Sequence, residues 1–248
     1  MDNLIESFKS SIFGENLEKI ENILSTIEEP IDVLSEDPII KAIPIVSKIV
    51  SLSRACLAIN DRILIKKLTI FITSMNNGSV SDKKLQDYKN KLESNPKILN
   101  RDLEKILVLI EKEVEEDKVK ILAQLYKSYI NGNLDWDELI HSSEIVRNLF
   151  LIDLIQLKSL YSEKEIKRND GYYPFSMSRL NSLGLVEYYN GLLVNSQDNP
   201  GTQIIGKINE LGEDFFKYAI LDSGIEVIGL GSDFDGIDCK VEIENASK

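Results

Sequence analysis

The run from 38 to 60, "PIIKAIPIVSKIVSLSRACLAIN", is the most apolar stretch of the chain, and it must leave water somewhere. Its length raises the question of a membrane span. Lys41, Lys48 and Arg54 oppose one, because each charge at mid-bilayer costs about 2.5–3.5 kcal/mol. Lys41 and Lys48 share a helical face, which is the pattern of an amphipathic helix. Pro44 suits a first helical turn, so a start there is expected. The spacing predicts a core helix packed on at least two others. An interfacial, membrane-active helix and a true span are the alternatives.

Most of the remaining chain repeats the helical period. Residues 3–29 place Leu4, Ile5 and Phe8, then Leu17, Ile20, Ile23, Leu24 and Ile27, on helical faces, with Gly14 as an interruption and Pro30 as a stop. "NDRILIKKLTIFITSMNNGS" reads as a helix ending at "NNG". Ser81 is the expected N-cap of a polar surface helix, and "NPK" marks a turn. From 100 to 131 runs a long pattern through Leu103, Ile106, Leu107, Ile110 and Val114, then Ile121, Leu122, Leu125 and Tyr129, with a break expected near Asp117. Gly132 is a stop, and Asp135 with Glu138 has the spacing of a capping box. No repeat of fixed period is visible.

Composition narrows the partners. The 248 residues suffice for one large domain or two ordinary ones, and the hydrophobic fraction of 43% supplies a core. A formal net charge of −12 repels phosphate backbones unless a basic face is segregated, so duplex DNA is disfavoured as a partner. Two cysteines, Cys56 and Cys239, make no disulfide framework or CxxC site and suit a reducing cytoplasm. The start, "MDNLIESFKSSIFGENLEKI", has no apolar run before a small-residue cleavage site, so no signal peptide is expected.

After about 146 the texture changes. "VRNLFLIDLIQLKSLYS" reads as a helix and "EKEIKRNDGYY" as a polar stretch ending in a glycine turn. "PFSMSRLNSLGLVEYY" is a short helix running through Gly184 into a strand, "NGLLVNSQDNPGTQIIGKI" a hairpin, and "NELGEDFFKYAIL" a closing helix. Residues 146–222 resemble a winged helix-turn-helix domain, most closely in "SRLNSLGLVEYY" and "INELGEDFFKYAI". The resemblance implies that residues 175–183 would enter a major groove, offering Ser176, Ser178, Arg179 and Asn181, with Lys164, Lys167 and Arg168 meeting phosphate. Glu163, Glu165, Asp170, Glu187 and, at the wing tip, Asp198 dilute that surface. Winged helices also serve as protein-contact modules, and that role is the one expected here.

The tail, "GIEVIGLGSDFDGIDCKVEIENASK", resembles the "GSDFDG" segment of the renal-type membrane dipeptidase family, which is zinc-dependent. The resemblance implies that Asp233 would help hold a substrate amino group. That family's paired zinc ions are held largely by histidines. This chain has one, His141, on an expected helix, and no alternating strand–helix units for a barrel. "GLGSDFDG" lacks the third glycine of a dinucleotide fingerprint. Asp233, Asp235 and Glu244 fall where a calcium loop wants ligands, but Asp238 stands where that loop needs glycine. No nucleophile elbow or P-loop is present. The tail is expected to be catalytically inert.

The expectation is a mainly α protein: a helical region over 1–145, a winged-helix-like α+β module over 146–223, and a tail over 224–248. The function expected is that of a non-enzymatic, bacterial or phage-type cytoplasmic regulator or adaptor, with no cofactor and no metal. It would act through protein contacts, and self-association stays open. The alternatives are a DNA-binding transcriptional regulator and a membrane-active effector that releases residues 38–60.

Overall fold

The computed structural model describes residues 2–13, 37–52, 58–76, 80–167, 172–189 and 204–225, and the chain is mainly α-helical with one small antiparallel sheet. These residues divide into two units, 2–148 with 213–225, and 149–212. The end of the expected closing helix thus groups with the helical unit rather than with the strand-bearing one. The expected helix over 17–29, Cys56, Arg168, the hairpin tip with Asp198, and the tail with Asp233 and Cys239 lie outside the described residues.

The helical unit contains α1 (Asp2–Phe13), α2 (Pro38–Lys41), α3 (Pro44–Leu52), α4 (Ile59–Asn76), α5 (Asp82–Ser94), α6 (Pro96–Lys112), α7 (Glu116–Asn131) and α8 (Trp136–Asn148). The apolar 38–60 run is not one helix. Asp37 caps α2 by accepting from the Ile39 and Ile40 amides, and Pro44 opens α3. The Ile45 amide, left without a helical partner, donates to Ser11 Oγ of α1 at 3.0 Å. α3 buries Ile45, Val46 and Ile49 and packs on α1, α2 and α4. Among the described residues no helix is long and apolar enough to cross a membrane.

α7 is the hub. Residues on every side of it are buried, from Val119 to Ile130, because α4, α5, α6 and α8 all pack against it. A π-helical turn, Phe216–Ile220, packs on it too, and Ser128 Oγ donates to the Tyr218 carbonyl at 2.8 Å. Phe8, Phe71 and Tyr126 form a line of rings at 5.9 and 6.1 Å through the core. The 100–131 pattern breaks at 113–115, slightly earlier than the sequence suggests. There the Lys67 ammonium donates to the Glu111 and Glu113 carbonyls at 2.6 and 2.8 Å, satisfying the end of α6. Burial lowers the Lys67 pKa from its ordinary value and raises that of Glu113.

In the second unit the order is α9 (Asp153–Glu163), β1 (Glu165–Lys167), α10 (Pro174–Ser182), β2 (Val186–Tyr188) and β3 (Ile204–Ile208), with α11 (Glu210–Phe215) starting at its end. The expected helix after 146 is interrupted at 149–152, and "EIK", read as part of a polar turn, is a strand. β3 lies between β1 and β2, antiparallel to both. α10 ends as the leucine–glycine–leucine pattern implies: Gly184 has φ +75°, and the Leu185 amide donates back to the Leu180 carbonyl at 3.0 Å. Asn209 ties this turn to α11, donating to the Gly184 carbonyl at 2.7 Å and accepting from the Gly212 amide at 2.9 Å. A Cβ on Gly212 would stand 2.0 Å from the Leu185 carbonyl oxygen, so this close approach requires glycine.

Candidate interaction surface

The strand-bearing unit holds a half-buried ion pair where α9 and α10 pack together. Asp153 opens α9 and is fully buried. Arg179, on the last turn of α10, forks onto it: Nε reaches Oδ2 at 2.7 Å, and Nη2 reaches Oδ1. Ser176 Oγ accepts from Nη2 at 3.3 Å, and the guanidinium lies 5.0 Å from the centroid of the Phe150 ring. The hydrogen bonds to Asp153 raise the Arg179 pKa above its ordinary value. The positive charge persists, but the pairing cancels it locally.

Around this pair the surface is apolar. Phe175 is 80% exposed, Tyr173 65%, Phe150 59% and Ile152 43%. Phe175 and Arg179 lie one turn apart on the same face of α10. The backbone beneath is fixed, because the buried Gln156 accepts from the Tyr173 amide at 3.0 Å. Rings on a fixed backbone lose little freedom when a partner covers them.

Among the described residues, the other sequence-derived candidates do not assemble into a basic face. Ser176 is buried, while Ser178 and Asn181 are exposed. Asn181 Oδ1 accepts from the Tyr188 amide at 3.1 Å, tying the end of β2 to α10. Lys164 adopts φ +69° at the end of α9 and lays its ammonium 4.7 Å from the Tyr161 ring centroid. Lys167 lies 3.7 Å from Glu165. In the sheet register Lys207 stands between Glu165 and Glu187, so this row of side chains across the sheet alternates in sign.

The helical unit holds a second polar cluster that the sequence did not signal. Asp102 of α6, fully buried, accepts from Tyr88 of α5 at 3.0 Å, Tyr129 of α7 at 3.1 Å and Arg101 Nε at 2.8 Å. Tyr88 also meets the Tyr126 hydroxyl at 3.0 Å. Burial, then the Asp102 charge, pushes the Tyr129 phenol up to about 12. Burial drives Tyr88 and Tyr126 upward as well. The Tyr88 and Tyr129 hydroxyls serve as donors to Asp102. The cluster joins three helices. Among the described residues no group of three or more His, Cys, Asp or Glu is placed to hold a metal ion. Comparison of the chain with family models, curated proteins and solved structures returns no match.

Proposed function

We propose that the protein is a non-enzymatic regulator or adaptor that acts through protein contacts, and that the strand-bearing unit over 149–212 is one contact module. A single observation carries the reading: the arginine best placed on α10 to read a nucleic acid is folded onto Asp153 and against the Phe150 ring, in a unit that also exposes Tyr173 and Phe175. A phosphate-binding face needs uncommitted cations, whereas protein interfaces favour aromatic anchors. The net charge of −12 supports the same reading.

A second reading, duplex recognition through α10, draws its support from the winged-helix-like element order, with a three-stranded sheet following α9. Fluorescence anisotropy with labelled duplex DNA separates the two. Protein contact predicts no sub-micromolar binding at about 0.15 M salt. Tight binding that falls steeply with added salt and is lost in Arg179→Ala would replace the first reading by the second.

A further inference from the structure

The groove between α6 and α8 has a volume of about 730 Å³ and contains the chain's one tryptophan, Trp136. Arg101 lies across it, with its guanidinium carbon 4.5 Å from the Trp136 ring centroid. Nε is committed to Asp102, and Tyr88 and Tyr129 share that same carboxylate. The Arg101 side chain nonetheless remains half exposed, and the Tyr129 phenol lies beside it as well as beside Asp102. Trp136 is itself braced edge-on by Tyr129 at 5.5 Å. An exposed arginine is ordinarily a mobile one; here a buried carboxylate and an indole face fix its direction before any ligand arrives.

We propose that this groove binds a partner peptide helix that presents a glutamate or aspartate beside an aliphatic residue, with Arg101 as the carboxylate anchor. Val108 and Ile140 supply an apolar wall for the aliphatic side chain. Lys105 and His141 add donors, and Glu104 and Asp137 disfavour a second acidic residue further along. An arginine with its Nε edge occupied still offers two terminal nitrogens, which match the two oxygens of a carboxylate. Its lining comes from two helices, residues 101–108 of α6 and 136–141 of α8, which suits a third helix face laid against them. The site is on the helical unit and does not depend on the reading of the 149–212 module.

Trp136 makes the test direct, because all tryptophan fluorescence arises in the groove. The full chain is titrated with a capped, alanine-based helical peptide carrying leucine and glutamate one turn apart, and with its glutamine twin. The expected result is a saturable change with the acidic peptide, roughly tenfold weaker with the twin. Arg101→Gln should weaken the acidic peptide by a similar factor and leave the twin unchanged, while Arg101→Lys recovers only part of the loss. The absence of a saturable response, or equal response to both peptides in the native protein, overturns the proposal. The twin comparison needs no variant, so a folding defect in Arg101→Gln cannot mimic success.

Discussion

Replacing Arg179 by methionine keeps an apolar stem and removes the cation, leaving Asp153 fully buried without its fork. Breaking a buried ion pair costs about 3–5 kcal/mol when the remaining charge has no other partner. Two effects reduce that figure here. The Arg179 side chain is 36% exposed, so water can approach the orphaned carboxylate. Asp153 also opens α9, where the helix dipole favours a negative charge by roughly 0.3–1 kcal/mol. A loss of about 2–3 kcal/mol follows. Asp153→Asn combined with Arg179→Met removes both charges, and the double variant should recover at least about 1 kcal/mol relative to the sum of the singles. Hydrogen exchange at the Ile205 and Ile208 amides of β3, followed against urea, reads the stability of this unit. Wild-type protection in Arg179→Met, with additive effects in the cycle, would refute the reasoning. It would mean that the arginine is free to serve a ligand.

Three further outcomes test the packing. Ile49→Asp places an unpaired carboxylate on the buried face of α3 and should destabilise the helical unit by about 3 kcal/mol or more, read as a lower Tm. Gly212→Ala should destabilise the second unit although alanine ordinarily favours a helix, because the new methyl group meets the Leu185 backbone oxygen at 2.0 Å; Gly206→Ala, at 2.3 Å from the flexible end of Met177, should cost less by the same exchange measurement. Glu113 has its folded-state pKa raised by burial, so between its unfolded pKa, about 4.5, and the higher folded value stability falls as pH rises. Glu113→Gln removes this dependence, so its Tm relative to the native protein should increase from pH 4.5 to 7, and a constant difference would contradict the assignment.

Local signals were legible in the sequence because their partners lie within a few residues. Ser81 caps α5 through the Lys84 amide. Asp135 and Glu138 exchange their reciprocal bonds at 2.9 and 2.6 Å, and Gly132 ends α7 at φ +77°. The mainly helical class with a small strand-bearing module followed from the same periodicities. Contacts between elements were not legible. Ser11 reaches Ile45 across 34 positions, Lys67 reaches Glu113 across 46, and Arg179 reaches Asp153 across 26. Nothing in the residues between them announces the meeting. β1 was missed for a different reason: three residues are too few to display alternation, and its pairing with β3 supplies the order. Arg179 illustrates the consequence for function. Its place on a short helix was legible, but its contact with a carboxylate one helix away was not.

The central claim is that the aromatic face beside Arg179 meets protein. A photoreactive phenylalanine at position 175, irradiated in cells of the native host, tests it most directly, with position 167 on β1 as the control. The account predicts a discrete adduct from position 175 that survives nuclease and is removed by protease, with no such adduct from position 167. Nuclease-sensitive adducts at position 175, or adducts formed only from position 167, would contradict it.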